Sequence, residues 1–166
     1  MTSATNIAKY FLQKDVTREI FTSETIMRGM RNFAVGNARL NKYLHIAQNM
    51  WIAKTGELLF PQRLYAFENG AVVEDVRLNY NMLAKNPMHH DIQLSEDLRA
   101  FLDKFYIMLK NATIDDLIEL SHQDNEWVAK NKLRTKNEQE MDSLSRKSEY
   151  MEQYADALII LERICL

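Results

Sequence analysis

The stretch ARLNKYLHIAQNMWIAKTG, residues 38–56, decides the fold class of this chain. Its apolar side chains recur every three or four positions, which predicts an α-helix over about 38–55. The apolar stripe of this helix consists of Leu40, Tyr43, Leu44, Ala47, Met50 and Trp51. The opposite face is largely polar and carries Lys42, Gln48 and Asn49. Gly56 stands where a glycine commonly ends a helix.

Helical patterns also precede and follow this central helix. Upstream, the sequence predicts a first helix capped by Ser3 or Thr5, a second over roughly 23–34 capped by Ser23, and a stop or turn at Gly36-Asn37. Downstream, it predicts helices at about 73–84, after Ser95, after Thr113, from Asn125 and at about 145–165. Asp116 lies three residues after Thr113, which is the spacing of a capping box.

Glycine and proline are scarce, with 4 and 2 residues among 166. A β-sandwich needs a turn about every 8–12 residues, and a phosphate-binding loop needs clustered glycines, so the composition argues against both. The expected fold is mainly α, a single compact multi-helix domain over residues 1–166, with at most a short strand pair near residues 58–73. The polar composition of residues 130–148 predicts a mobile loop or a solvated helix.

Charge and cysteine content narrow the range of possible functions and locations. Lys and Arg number 21 against 23 Asp and Glu, so no overall basic excess indicates a nucleic-acid-binding protein. A helical regulator that binds its own operon stays an alternative, and it would use Lys130–Lys136 with Arg31 and Arg39. The single cysteine, Cys165, favours a reducing compartment. With no leader-like segment and no apolar run of about 20 residues, the expected location is the cytoplasm.

Residues that could carry chemistry are few. His89-His90-Asp91 is the densest group of ligand residue types, but neighbouring histidines point apart and no third ligand lies at zinc-site spacing, so an exposed loop is favoured. No serine or cysteine stands in a nucleophile motif. We therefore expect no enzyme, no metal and no cofactor. The enzymatic alternative would combine His122 with Asp124 or Glu126.

Five segments, read in order, resemble the motifs of one protein family. LNKYLHIAQ at 40–48 is similar to the helix motif L-q-K-L-L-Y-y-A-q of that family. The other segments are IAKYFL at 7–12, GELLF at 56–60, LYAFENGAVVEDV at 64–76 and LIELSHQDNEW at 117–127. The set resembles the Panacea domain family of SocA-like and GepA-like phage-associated proteins. Ala71 replaces the family's proline, Phe67 its tryptophan and His45 its tyrosine.

The resemblance implies a mostly helical, non-enzymatic protein of prophages and mobile elements. Many members of the family are antitoxins that neutralise toxins encoded beside them, and SocA-like members also deliver a toxin to a cytosolic ATP-dependent protease. We therefore expect a protein partner and no membrane association. The candidate partner-binding residues are Trp51, Phe67, Asn69, Gly70, His122 and Trp127. The alternative is that these side chains only hold the fold together.

Overall fold

A computed structural model describes residues 1–85 and 91–166 of the chain. Within these two ranges the protein has nine α-helices and two small sheets, each of two antiparallel strands. The expected mainly-α fold is therefore confirmed. No helix in the described ranges combines the length and the apolar character that crossing a membrane requires. The loop predicted at His89 and His90 lies outside the described residues.

The elements follow one another in a simple order. The first half contains α1 (Ala4–Lys14), β1 (Thr25–Arg28), β2 (Arg31–Ala34), α2 (Val35–Thr55), β3 (Tyr65–Phe67), β4 (Gly70–Val72), α3 (Glu74–Leu78) and α4 (Tyr80–Lys85). The second half contains α5 (Glu96–Leu109), α6 (Ile114–His122), α7 (Asn125–Asn131), a 3-10 helix (Ser143–Arg146), α8 (Lys147–Gln153) and α9 (Ala155–Glu162). Strands β1 and β2 form the first hairpin, and strands β3 and β4 form the second hairpin.

Helix α2 runs through the centre of the fold. The ring of Tyr43 packs edge-on against three others, those of Phe11, Phe21 and Phe105, at centroid distances of 5.6, 5.2 and 5.8 Å. Edge-to-face pairs at such distances add favourable ring electrostatics to the burial of apolar area. Tyr43 Oη also donates to Leu109 O at 3.0 Å, which satisfies the buried hydroxyl. These contacts fasten α1 and α5 onto α2.

The polar face of α2, opposite the apolar stripe, is buried as well. Lys42, Gln48 and Asn49 are at most 3% exposed, because α6, α8 and the second hairpin cover that side of the helix. Gln48 Nε2 donates to Phe60 O at 3.1 Å, and Gln48 Oε1 accepts from Leu59 N at 2.7 Å. This side chain thereby satisfies backbone groups of the extended segment that follows α2.

The helix predicted over 23–34 is wrong, because the first hairpin occupies this stretch. Strands β1 and β2 pair antiparallel, with Ile26 opposite Phe33. Gly29, in the turn between them, has a φ of +66°, a left-handed conformation that glycine adopts without a Cβ penalty. A continuous right-handed helix is incompatible with that turn.

Gly36 does not end a helix, as the sequence predicts, but lies in the first turn of one. Helix α2 begins at Val35, directly after the first hairpin. A Cβ at Gly36 would collide with Thr22 O and Tyr80 Oη. The missing side chain therefore allows the start of α2 to pack closely against α4 and the chain that precedes β1.

The helix caps predicted at Ser3, Ser95 and Thr113 are confirmed, whereas Ser23 caps no helix because the first hairpin follows it. The side chains of Ser3, Ser95 and Thr113 each accept a backbone N–H at the start of α1, α5 and α6. Thr113 and Asp116 form a complete capping box. Gly56 ends α2 with a φ of +77°. Each cap satisfies backbone groups that a helix end leaves without an internal partner.

Two predicted helices are divided in the structure, and one predicted strand pair is present. The helix predicted at about 73–84 consists of α3 and α4, interrupted at Asn79. The helix predicted at about 145–165 consists of α8 and α9, interrupted at Tyr154, whose φ and ψ are −102° and 8°. The strand pair predicted near 58–73 is confirmed as β3 and β4.

Part of the polar segment 130–148 runs beside β3. Ala66 N donates to Gln139 O at 2.9 Å, and Met141 N donates to Leu64 O at 2.8 Å. Met141 is 1% exposed and belongs to the main hydrophobic core. These contacts lay an extended piece of chain against the second hairpin.

Candidate partner-binding site

A buried carboxylate, Asp124, lies at the N-terminus of α7. Its Oδ2 accepts from His45 Nε2 at 2.7 Å and from Asn49 Nδ2 at 2.9 Å. Its Oδ1 accepts from Tyr150 Oη at 2.8 Å and from Glu126 N at 2.9 Å. Burial raises the pKa of the Asp124 carboxyl, but the side-chain hydrogen bonds outweigh burial and hold the pKa below its ordinary value. This network joins α2, α7 and α8.

Glu126 is a second buried carboxylate on α7, with 3% of the residue exposed. Its Oε2 accepts from Asp142 N at 2.6 Å and lies 3.2 Å from Lys130 Nζ. Its Oε1 accepts from Arg146 Nε at 3.3 Å. Since both oxygens have partners, the carboxylate is satisfied, and it joins α7 to the 3-10 helix.

Two aromatic rings support the second hairpin from behind. The ring of His122 stacks on the ring of Trp127, with centroids 3.9 Å apart and an interplanar angle of 7°. Trp127 Nε1 donates to Phe67 O at 2.9 Å, which fixes the end of β3. Burial, and then the positive charges of Lys42 and Arg28, lower the pKa of His122. The neutral imidazole is therefore favoured at neutral pH.

Lys42 reaches from α2 to the turn of the second hairpin. Its Nζ donates to Asn69 O at 2.6 Å. Gly70 has a φ of +132°, and a Cβ at this position would lie 2.6 Å from Lys42 Nζ. Glycine alone combines this backbone conformation with room for the ammonium group. Burial, and then the positive charge of Arg28, lower the pKa of Lys42 to about 8.

A cleft of about 500 Å³ lies between the two hairpins, and we call it the hairpin cleft. The first hairpin contributes residues 31–34, and the second contributes residues 67–70. The floor comes from the first half of α2 and includes Asn37, Asn41 and Lys42. The hairpin cleft is therefore open to a partner between two exposed turns.

The six candidate residues divide between two places. Three of them line the hairpin cleft, namely Phe67, Asn69 and Gly70. His122 and Trp127 lie behind the second hairpin and support it. Trp51 lies elsewhere, in a separate groove, where its ring packs 5.0 Å from that of Phe101. Their role in binding a partner stays a prediction.

Lys42 and Asn41 also line the hairpin cleft, although sequence reasoning did not single them out. Asn41 Oδ1 accepts from Val73 N at 2.9 Å, and Asn41 Nδ2 donates to Asn37 O at 3.0 Å. Both residues lie inside LNKYLHIAQ, a motif that carries the family resemblance. That location is the signal that could have found them.

Residues 40–128, more than half of the chain, match the family described as antitoxin SocA-like, Panacea domain. This chain belongs to that family. Comparison with curated proteins gives no match, and comparison with solved structures gives none either. The Panacea-domain segment contains the second hairpin and most of α2, so it supplies one wall of the hairpin cleft and the part of its floor that includes Asn41 and Lys42. The other wall, the first hairpin, precedes the segment.

The enzymatic alternative needs a pairing that is not present in this Panacea-domain protein. His122 stacks on a tryptophan, whereas Asp124 faces His45 and Glu126 faces Arg146. The part of the chain that the structure describes also holds no group of three His, Cys, Asp or Glu residues placed to bind a metal. The structure thus does not bring together the residues that this alternative requires.

Several basic residues of the nucleic-acid alternative already have partners. Lys136 Nζ lies 2.8 Å from Glu74 Oε2, and Lys130 Nζ lies 3.2 Å from Glu126 Oε2. Arg39 Nη1 donates to a backbone carbonyl at 2.8 Å. Phosphate binding depends on cations that are free to replace counterions around the nucleic acid. These internal pairs therefore weaken the case for a nucleic-acid surface.

Proposed function

We propose that this protein is an antitoxin that binds a toxin protein encoded nearby, on a phage or another mobile element, and neutralises it. The family match carries the proposal, since the family is described as antitoxin SocA-like. We assign the binding surface to the hairpin cleft. Part of its floor and one wall lie within residues 40–128, and seven residues of the family motifs line it, namely Asn41, Lys42, Phe67, Glu68, Asn69, Gly70 and Val72.

The rim of the hairpin cleft supports a protein partner. The side chains of Arg31 and Glu68 are 82% and 83% exposed, and their charged groups lie 3.8 Å apart. Phe67 is half-buried, with the Arg77 guanidinium 5.4 Å from its ring centroid. Protein interfaces commonly combine an aromatic anchor with a polar rim. The hairpin cleft combines an aromatic residue, Phe67, with the charged rim residues Arg31 and Glu68.

Neutralisation has two candidate modes. In the first, binding alone blocks the toxin. In the second, the protein is an adaptor that delivers the toxin to a cytosolic ATP-dependent protease, as the resemblance to SocA-like members implies. Both modes act in the cytoplasm, which is the location that we propose. Toxin half-life distinguishes them, because delivery shortens the half-life only in cells that contain the protease.

We further propose that binding of the partner protects the polar segment 130–148. Lys132 and Arg134 are exposed trypsin sites within it. Trypsin should cleave at Arg134 more slowly in the complex than in the free protein, because a partner that covers the segment keeps the protease from its exposed sites. An unchanged cleavage rate would contradict this role of the segment.

Co-expression of the chain with each adjacent gene tests the proposed function. We expect rescue of growth from one toxic neighbour, and co-purification with its product. Arg31→Glu reverses a charge at the rim of the hairpin cleft and should reduce the number of surviving colonies by about tenfold or more. Arg163→Glu is the matched control, because it reverses an exposed charge at the end of α9.

Two outcomes would contradict these assignments separately. If no adjacent gene is toxic or none of their products co-purifies, the antitoxin proposal fails. If Arg31→Glu rescues growth as well as the wild type, the partner binds outside the hairpin cleft.

A further inference from the structure

Lys42 carries a buried positive charge that has no negative partner within the described part of the chain. The residue is 3% exposed, and its ammonium donates to a neutral carbonyl, Asn69 O, at 2.6 Å. Each ion pair that a carboxylate forms among the described residues involves a cation other than Lys42. An ammonium group has three N–H donors, and burying a charge without a partner is costly. Lys42 is thus a cation with unused binding capacity.

Lys42 belongs to the floor of the hairpin cleft. Its ammonium has two N–H groups that Asn69 O does not use, and these are the donors that we expect an entering oxygen to reach. Arg31 stands on the rim and makes only a long ion pair, at 3.8 Å, with the equally exposed Glu68. An entering anion would therefore pass the exposed guanidinium of Arg31 and end at the buried ammonium of Lys42.

We propose that the hairpin cleft receives an aspartate or glutamate side chain of the partner protein, and that this carboxylate forms the ion pair that Lys42 lacks. The inference rests on the proposed function, since the carboxylate belongs to the toxin. It identifies the partner's binding segment by its chemistry: an exposed acidic residue on a loop or turn narrow enough to enter between the two hairpins.

A single carboxylate fits the cleft better than a polyanion does. Around Lys42, most other cations are already neutralised: Arg28 pairs with Asp115, and both Arg77 and Lys136 pair with Glu74. Glu68 adds a negative charge at the rim. A nucleic-acid backbone would bring several phosphates against these carboxylates. One acidic side chain needs one free cation, which the floor of the cleft supplies.

Lys42→Met tests the inference, because methionine keeps the length of the buried side chain and removes its charge. Isothermal titration calorimetry with the purified toxin should show affinity reduced about tenfold or more, because the partner's carboxylate would be left without its counter-charge. Lys54→Met is the matched control, since Lys54 is an exposed lysine on the same helix. A cooperative thermal transition should accompany the loss of affinity in Lys42→Met.

A second measurement uses the wild-type chain and so does not depend on the folding of a variant. An acetylated and amidated pentapeptide, Gly-Gly-Glu-Gly-Gly, is titrated while the backbone amide signals of Asn69 and Gly70 are followed by nuclear magnetic resonance. We expect both signals to shift on addition of this glutamate peptide. The same peptide with glutamine in place of glutamate, and an oligothymidine hexanucleotide, should leave them unchanged.

The outcomes separate the two proposals. If the toxin binds the wild type and a folded Lys42→Met variant equally well, the carboxylate inference is overturned while the antitoxin function stands. If the toxin does not bind the wild type, the proposed function fails, and the titration with the glutamate peptide still decides whether the cleft accepts a carboxylate. If the oligothymidine shifts the same signals more strongly than the glutamate peptide does, the cleft selects phosphate and the inference is wrong.

Discussion

His45 Nε2 lies 2.7 Å from Asp124 Oδ2, and both side chains are fully buried. The pair joins the middle of α2 to the start of α7, although the two residues lie 79 positions apart in the chain. The same carboxylate also accepts from Asn49, Tyr150 and Glu126 N, so one acidic group satisfies donors from three helices. The stability of the protein should therefore depend strongly on this carboxylate.

Asp124→Asn should lower the free energy of unfolding by about 3–5 kcal/mol. The substituted amide cannot accept all the hydrogen bonds that the carboxylate accepts, so buried donors lose their partners. Urea denaturation followed by circular dichroism measures the loss. Asp156→Asn, an exposed change on α9, is the control and should stay within about 0.5 kcal/mol of the wild type.

The unfolding free energies of the wild type and Asp124→Asn should respond differently to acid. The pKa of Asp124 is lower in the folded state than its ordinary value, so its stabilising effect is present above the unfolded pKa of about 4 and is lost as the pH falls through the folded pKa. The difference in unfolding free energy between the wild type and Asp124→Asn should therefore shrink below about pH 4. A constant difference down to the acid transition would argue against a charged Asp124.

The difference in unfolding free energy between the wild type and Lys42→Met should depend on pH in the alkaline range. Burial, and then the charge of Arg28, lower the pKa of Lys42 from 10.5 to about 8 in the folded protein. The cost of holding the charged lysine is complete below the folded pKa and disappears above the unfolded pKa. The wild type should therefore gain about 3 kcal/mol relative to Lys42→Met across this window. Denaturation of both proteins at several pH values from neutral upwards tests this, and parallel curves would contradict it.

Trp127→Phe should destabilise the protein by about 1–2 kcal/mol, because phenylalanine cannot donate to Phe67 O. Trp51→Phe is the matched control, since the ring of Trp51 makes an edge contact with Phe101 that a smaller ring can largely keep. Thermal denaturation should show the larger loss for Trp127→Phe. Equal losses in the two variants would mean that the hydrogen bond to β3 contributes nothing beyond ring packing.

Gly70→Ala should cost about 2–3 kcal/mol of unfolding free energy, because alanine is strained at a φ of +132° and its Cβ would meet Lys42 Nζ. Gly29→Ala separates these two effects. Gly29 has a φ of +66°, but a Cβ there has open space, so only strain of about 1 kcal/mol applies. If both variants lose the same stability in urea denaturation, the contact between the added Cβ and Lys42 Nζ does not destabilise Gly70→Ala.

The sequence was sufficient where local chemistry determines the structure. Ser95 and Thr113 predict helix starts because a hydroxyl accepts the free N–H groups of a first turn wherever the helix lies. It was misleading over 23–34, where helical spacing of apolar residues suggested burial. In the first hairpin, Met27 and Met30 are instead 65% and 97% exposed, so their spacing carried no information about a core.

The candidate site was predictable only in part. Phe67, Asn69 and Gly70 were found from a family motif and do line the hairpin cleft. Helical spacing places Lys42 and Asn49 opposite the apolar stripe of α2, and side-chain periodicity cannot reveal partners distant in sequence. Lys42 contacts Asn69, and Asn49 contacts Asp124, which lies 75 residues away along the chain.

The hydrogen bonds of Glu126 and Asp124 have a practical consequence for anyone shortening this chain. The family segment ends at residue 128, yet the partners of these two carboxylates include Arg146 and Tyr150, which lie beyond it. A fragment trimmed to the family boundaries would retain Asp124 and Glu126 but lose these two hydrogen-bond partners. Carboxylates that are satisfied in the whole chain would then lack part of their hydrogen bonding. Recombinant fragments for crystallography or interaction screens should therefore extend through α8, because the recognisable part of this protein is smaller than the part that must fold.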